Sequence, residues 1–207
     1  MLMAILKAET RSYHERLERD PLSRGLVGAG ITPDSYTAVL KVYYGLYAPM
    51  EARLIAAADW SALDFAMGRR LKAPLLRADL AHLGVPEEGM APLPRCNFLP
   101  LVPKLPAAIG CMYVLEGATL GGQLIARHLQ QTLGVDANGG AAFFNSYGPE
   151  VGPLWKAYKS FAEQHGAGHE DAVVASASAM FAALERWFFE CHSALVAPEQ
   201  QLATLAG

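Results

Sequence analysis

The most constraining feature of this sequence is a helix that contains glycines in its interior. Between residues 111 and 133 large aliphatic side chains recur at intervals of three and four residues, the period of an α-helix. They are Leu115, Leu120, Leu124, Ile125, Leu129 and Leu133, and Gly134 then fits a C-terminal cap. Each interior glycine costs about 1 kcal/mol relative to alanine, so Gly117, Gly121 and Gly122 together forfeit roughly 3 kcal/mol of helix propensity. Another interaction must offset that loss.

Two of these glycines leave one face of the helix without side chains. Gly117 and Gly121 are four residues apart and therefore share a face. Bare backbone can accept a flat ligand or a second helix packed unusually close, and the spacing alone leaves both alternatives open. A transmembrane dimer face is not expected, because Glu116 interrupts the apolar run and the run is far shorter than the roughly 20 residues that a bilayer requires.

Length and composition are those of one well-packed domain covering residues 1–207. The chain is 52% hydrophobic and 18% charged, and its formal net charge of -3 gives no basic field for nucleic acid. Three widely spaced cysteines, Cys96, Cys111 and Cys191, suit a reducing compartment. Lys7 and Arg11 follow the short apolar start too closely for a signal peptide of the usual length. We expect a cytoplasmic protein with no membrane span.

The periodicity predicts an all-α fold of seven or eight helices. The first helix ends at Asp20-Pro21, and the second begins with Thr32 as its cap and ends near Pro49. Further helices are predicted over residues 50–58, 64–83, 107–133, 153–165 and 170–195, with a proline-rich connector over residues 86–106. No stretch has the two-residue alternation of a strand.

His14 is the candidate metal ligand. It falls on the predicted apolar face of the first helix, and Glu18 follows one turn later, where a carboxylate can take the Nδ1 proton and leave Nε2 for a metal. The alternative is a core histidine with a satisfied hydrogen bond. His165 and His169 also have the four-residue spacing of a metal pair, but the glycines between them predict a loop with two solvated histidines.

Two motifs resemble the heme oxygenase family. Residues 6–18, LKAETRSYHERLE, are similar to the first helix of that family, whose histidine is the proximal iron ligand. Residues 115–123, LEGATLGGQ, resemble its glycine-rich distal helix, particularly in the bacterial branch linked to phytochromes. The order and separation of the motifs also match, and the resemblance covers essentially the whole chain. It implies an all-α fold with heme b between a proximal N-terminal helix and the glycine-rich distal helix.

The resemblance also implies roles for individual residues. His14 would bind the iron with Glu18 behind it, while Gly117 and Gly121 let the distal helix lie over the other face of heme and Gly122 allows a kink. Lys7 would hold one heme propionate. The remaining expected heme contacts are Tyr113 and, for the second propionate, Lys156, Tyr158 or Lys159.

The implied activity uses heme as both substrate and cofactor. Dioxygen and external electrons would open the porphyrin to biliverdin, releasing carbon monoxide and ferrous iron. The glycines lie inside a helix and not after a strand, so the chain has no dinucleotide fingerprint, and a separate reductase or ferredoxin is the expected electron donor. A bacteriophytochrome is the expected recipient of biliverdin.

One position departs from the family pattern. Animal members carry an aspartate directly after the first glycine, where it organises water that delivers protons, and this chain has Ala118. Glu116, Thr119, Gln123 or ordered water must then take that part. Two rival functions stay open: a non-catalytic heme carrier or sensor, and an unrelated hydrolase on a similar helical fold with Cys111 as nucleophile, assisted by Glu116 or Tyr113.

Overall fold

A computed structural model describes the backbone of residues 1–205 and the side chains of residues 1–195. The described backbone contains ten α-helices and no strand, which confirms the all-α prediction. The helices are α1 (Leu2–Glu9), α2 (Arg11–Leu17), α3 (Pro21–Gly25), α4 (Pro33–Ala56), α5 (Ala73–His82), α6 (Glu87–Met90), α7 (Leu105–Leu133), α8 (Ala142–Asn145), α9 (Val151–Gly166) and α10 (Glu170–Leu205). Short 3-10 turns occur at Met67–Arg70 and Gly148–Glu150. The number exceeds eight because the first predicted helix is divided and three helices have only four or five residues.

The glycine-bearing helix α7 lies at the centre of the fold. It packs along α10 and also contacts α8 and α9. Helix α7 and residues 170–195 of α10 are each long and apolar enough to cross a membrane. In the most apolar segment of each, 61% of the residues of α7 and 39% of those of α10 are buried within the protein. Their apolar character is therefore accounted for largely by packing of the core.

The N-terminal helix is interrupted at Thr10. The backbone there leaves the helical conformation at φ -100°, and the Thr10 hydroxyl donates to the Leu6 carbonyl at 2.7 Å. Helix α1 buries Leu2 and Leu6, whereas α2 has no buried residue. The prediction that His14 lies on a buried face is therefore wrong, because the break turns α2 into the exposed wall of a cleft.

Helix α4 passes through Pro49, where the sequence predicted its end. Proline lacks an N–H, so the carbonyl of Gly45 has no partner within the helix. That carbonyl instead accepts the backbone N–H of Cys96 at 3.0 Å. The predicted cap at Thr32 is confirmed, since its hydroxyl accepts the N–H of Ser35. The single long helix brings Tyr43, Tyr47 and Glu51 onto one face at four-residue spacing.

The predicted helix over residues 64–83 is wrong in its first half. Asp64 has a φ of +50°, a 3-10 turn follows, and α5 begins only at Ala73 with Pro74 in its first turn. Proline is favoured in a first turn and disfavoured in a helix interior, which explains the late start. The irregular segment before α5 carries Arg70 and Lys72 into the interior, where they are 7% and 3% exposed.

Candidate functional site

A cleft between α2, α7 and α10 contains His14. Two adjoining cavities share His14 and Glu18 in their walls, with volumes of about 220 Å³ and about 610 Å³. Sites for small molecules and cofactors commonly occupy about 300–1,000 Å³. The smaller, inner cavity is mostly apolar and is lined by His14, Leu17, Glu18, Ser23, Tyr43, Tyr47, Val114, Leu115, Ala118, Phe181, Leu184 and Phe188. The larger, outer cavity is lined by Lys7, Arg11, His14, Glu15, Glu18, Tyr113, Gly117, Leu120 and Trp155.

The imidazole of His14 is held by aromatic contacts. Its ring centroid lies 4.7 Å from that of Phe181 and 6.5 Å from that of Tyr113, both in edge-on geometry. Burial lowers the pKa of His14, and the charge of Glu18 opposes that change. The neutral imidazole is the form that ligates a metal. The predicted hydrogen bond from Nδ1 to Glu18 is absent from residues 1–195, where Glu18 acts on His14 through its charge.

His14 does not belong to a cluster of three or more metal-binding side chains. Within the described part of the chain no three His, Cys, Asp or Glu residues converge on a possible metal site. A metal held by His14 would therefore receive its remaining ligands from a bound molecule, as iron does in a porphyrin.

Gly117 and Gly121 both border open space, and Gly117 lines the outer cavity together with His14, whereas Gly121 lines neither cavity that contains His14. A Cβ atom built on Gly117 would meet only the ring of Trp155, at 3.9 Å, and one built on Gly121 would meet nothing within 4 Å. Leu120 and Leu124 on the same helix are 47% and 65% exposed. Close helix packing therefore does not explain these two glycines, and the flat-ligand alternative is favoured.

The other two glycines of α7 serve close packing. A Cβ atom on Gly110 would overlap the backbone of α10 at the Val173 carbonyl, and one on Gly122 would overlap the Phe144 carbonyl of α8. Helix α7 is continuous through Gly122. Gly122 admits the backbone of α8, and the kink at this residue stays a prediction.

The positive charges at the cleft come from the N-terminal helices. Lys7 and Arg11 line the outer cavity, whereas neither Lys156 nor Lys159 lines a cavity that contains His14. Tyr158 is fully buried, and its hydroxyl donates to the Ile109 carbonyl at 2.7 Å. The predicted propionate contact of Tyr158 is thus corrected, because its hydroxyl is buried and already bonded, whereas Lys156 and Lys159 stay predictions. The sequence analysis missed Arg11, although it lies one helical turn from Lys7.

Trp155 is the α9 residue that reaches the cleft. It stacks on Tyr158 at 5.3 Å between ring centroids and lies 6.0 Å from the ring of Tyr113. Residues far apart in sequence thus form this wall, and no local pattern indicated Trp155.

The polar residues of α7 that were predicted to replace the missing aspartate are engaged elsewhere. The Glu116 carboxylate is 3% exposed, pairs with Arg70 at 2.6 Å and accepts the Tyr147 hydroxyl at 2.7 Å. Thr119 donates to the Glu116 carbonyl at 2.7 Å, and Gln123 donates to a backbone carbonyl of α8. None of the three lines a cavity that contains His14.

Cys111 is unsuited to nucleophilic catalysis. Its side chain is completely buried, and burial raises the pKa of its thiol to about 12. Reactive cysteines need an accessible thiolate. The hydrolase alternative therefore loses its nucleophile. His128, a second candidate iron ligand, contacts the Gly28 carbonyl at 3.3 Å and does not line the cleft.

Comparisons with known proteins agree with this geometry. The family model described as Heme oxygenase matches residues 1–190. A heme oxygenase of Xanthomonas campestris pv. campestris (strain 8004) is 32% identical over 157 residues, which cover 73% of this chain and 87% of that protein.

Two solved structures share the fold. The heme oxygenase of Leptospira interrogans superimposes with a TM-score of 0.73 at 15% identity, covering 91% of this chain and 98% of that one. Heme oxygenase-1 of the cyanobacterium Synechocystis sp. PCC6803, solved in complex with heme, gives a TM-score of 0.70 at 18% identity, covering 99% and 98%. The family model spans most of the chain, and the Xanthomonas relative passes 30% identity over most of its length. The chain therefore belongs to the heme oxygenase family.

Proposed function

We propose that this protein binds heme between α2 and α7 and opens the porphyrin ring to biliverdin, carbon monoxide and ferrous iron. The observation that carries the proposal is a neutral imidazole, His14, that shares a cavity with Gly117, on a helix face that Gly117 and Gly121 leave bare. A flat macrocycle ligated on one side and covered by backbone on the other requires both features.

The residues of the cleft fit heme. The aromatic and aliphatic walls of the inner cavity suit a porphyrin, and Lys7 and Arg11 supply cations for its carboxylates at the outer cavity. His14 has no hydrogen-bond partner for its ring within residues 1–195, so a nitrogen is free to ligate iron. Heme itself supplies the redox-active iron and the ring that is opened.

Each part of the cleft has a separate task. His14 fixes the macrocycle, and Phe181 and Tyr113 limit rotation of the imidazole. Gly117 and Gly121 leave room beside α7 for the macrocycle and a small diatomic molecule. The apolar inner wall excludes bulk water from the reacting carbon. Electrons come from a separate reductase or ferredoxin, and we place the protein in the cytoplasm, where a bacteriophytochrome would receive the product.

A heme carrier or sensor is the second candidate. Ala118 favours it, because this side chain lines the inner cavity and cannot organise water or donate a proton. On the oxygenase proposal, water takes over that part, so Ala118→Asp is tolerated or changes the rate only mildly.

The decisive experiment combines heme titration with turnover. Heme should bind in a one-to-one ratio, and dioxygen with a reductase system should convert it to biliverdin. The His14→Ala variant should lose the spectrum of a neutral-imidazole complex, while His128→Ala should keep it. A protein that binds heme and dioxygen but yields no biliverdin under excess reductant is a carrier or sensor, and unchanged spectra in His14→Ala would move the ligand elsewhere.

A further inference from the structure

A cluster of buried charges lies on the α4 and α5 side of α7. It contains two acids, Glu51 and Glu116, and two bases, Arg70 and Lys72, none more than 7% exposed. Glu116 pairs with Arg70, while Glu51 accepts the backbone N–H groups of Lys72 and its neighbour. The formal charges balance. The heme-binding role of His14 and the glycines makes no use of this cluster.

Lys72 has unused capacity to donate hydrogen bonds. Its Nζ donates to the Arg70 carbonyl at 3.1 Å and lies 3.5 Å from the centre of the Tyr147 ring. An ammonium carries three N–H groups, so these contacts leave at least one N–H available. Lys72 also lines a cavity of about 60 Å³. A water molecule needs about 10–15 Å³, so several fit beside the ammonium.

Tyr47 borders the same small cavity with an unpartnered hydroxyl. The residue is 3% exposed as a whole, and no hydrogen bond of its hydroxyl is found within residues 1–195. In that part of the chain Ser146 carries the one fully buried side-chain polar atom that lacks a partner, so the Tyr47 hydroxyl itself borders accessible space. The buried tyrosines Tyr36 and Tyr158 each donate to a carbonyl at 2.7 Å. A tyrosine hydroxyl that borders a cavity and has no protein partner is expected to hold water. Tyr47 and Ala118 line both the small cavity and the inner cavity that contains His14.

We propose that Lys72 supplies protons to the α7 side of the heme cavity through water held between its ammonium and the Tyr47 hydroxyl, in place of an acidic side chain at residue 118. This inference rests on the proposed function. The Nζ proton passes to a water hydrogen-bonded to Tyr47, and that water releases a proton into the cavity beside Ala118. The neutral amine then regains a proton from bulk solvent through the waters of the cavity, so that solvent supplies the net proton consumed. No electrons move in these steps.

The electrostatics of Lys72 suit this task. Burial lowers the pKa of Lys72 to about 8, a change that Glu116 and Glu51 oppose and Arg70 reinforces. A proton donor works best when its pKa lies near the working pH. Burial raises the pKa of Tyr47 well above its ordinary value, so Tyr47 relays a proton as a neutral hydroxyl. Because Lys72 must be protonated to donate, delivery should decline as pH rises through about 8.

The first test uses the heme-free protein. The chain has six lysines, and NMR of labelled lysine side chains resolves their titrations. We expect one signal to titrate near pH 8 and to be missing in Lys72→Met. Titration of Lys72 together with the other lysines would overturn the proposal.

The second test measures ring opening against pH in the heme-loaded protein. Lys72→Met should lower the rate by about 100-fold or more and remove the decline above pH 8, with heme affinity unchanged. Because Lys72 acts through water and Tyr47, it is a positioning residue, and the pH profile distinguishes this role from a purely structural one. Lys104→Met changes an exposed lysine before α7 and serves as the matched control.

Tyr47→Phe keeps the test informative if Lys72→Met does not fold. It removes only a hydroxyl that has no described protein partner, so folding should be unaffected. Its ring-opening rate should fall about tenfold, the effect of one lost hydrogen bond to a charged group. If the unmodified protein opens heme and Tyr47→Phe matches its rate and pH profile, the relay is wrong and the oxygenase stands. If the unmodified protein opens no heme, the proposed function fails and the relay fails with it.

Discussion

Alanine at Gly121 and at Gly122 should have opposite effects on stability, although the two residues are neighbours in one helix. At Gly121 a Cβ atom meets nothing within 4 Å, so alanine gains its helix propensity of about 1 kcal/mol without a clash. At Gly122 the new methyl group overlaps the Phe144 carbonyl. Overpacking typically costs about 1–3 kcal/mol, which outweighs the gain in propensity.

These energies translate into measurable shifts of the melting temperature. For a protein of this size 1 kcal/mol moves the midpoint by about 2–4 °C, so heme-free Gly121→Ala should melt about 2–4 °C higher than the unmodified protein. Gly122→Ala should melt lower. Thermal unfolding followed by circular dichroism measures both, with urea unfolding as a check that the transition stays cooperative.

Function should separate from stability at Gly121. Gly121→Leu keeps a similar gain in helix propensity, but its side chain occupies the open space beside α7 in which we propose that heme lies, so ring cleavage should be abolished in a protein that is at least as stable. The reasoning is refuted if Gly121→Leu retains turnover, or if Gly121→Ala is less stable than Gly122→Ala. The first result would mean that heme does not lie on the bare face of α7, and the second would mean that the two glycines are not packed as described.

Three further predictions test the charges around the cleft. Lys7→Ala should weaken heme binding about two- to fivefold in a titration, because an exposed ion pair contributes up to about 1 kcal/mol, whereas Lys156→Ala should not change it. Arg70→Met leaves the Glu116 carboxylate buried without its cation and should cost about 3–5 kcal/mol in urea unfolding; a loss below 1 kcal/mol would contradict the pairing. The pKa of Glu163 is lowered from 4.5 to about 2 by hydrogen bonds from the amino group of Met1 and from the Met3 N–H. Its contribution to stability should be present above about pH 4.5 and lost towards pH 2, and Glu163→Gln should remove that dependence in acid unfolding experiments.

Local sequence signals predicted the parts of the fold that local interactions determine. The cap at Thr32 and the end of α7 at Gly134, with a φ of +73°, follow from the conformational preferences of single residues. The same reasoning failed at Pro49, because the tolerance of this proline depends on Cys96, a residue of another segment. A helix signal therefore located the elements better than their boundaries.

The sequence predicts those parts of the site that depend on glycine in the helix backbone. It does not predict those parts in which side chains from distant segments meet. Bare backbone at Gly117 and Gly121 was read from the cost of glycine in a helix, although the sequence could not separate them from Gly122, which packs against α8. The pairing of Arg70 with Glu116 joins residues 46 positions apart. No sequence pattern around either residue predicts that the two form a pair.

The two packing glycines hold the middle part of α7 at two points against neighbouring helices. Gly110 packs against α10 and Gly122 packs against α8, and the 12 residue steps from one glycine to the other span about 18 Å at 1.5 Å per residue. The bare face lies between these two contacts, so the width of the open space beside it depends on packing at Gly110 and Gly122, which do not border that space. Phe144 contacts Gly122 and Ser176 contacts Gly110. Substitutions of Phe144 or Ser176 should therefore change which macrocycles bind beside α7, although the residues that border the open space stay the same.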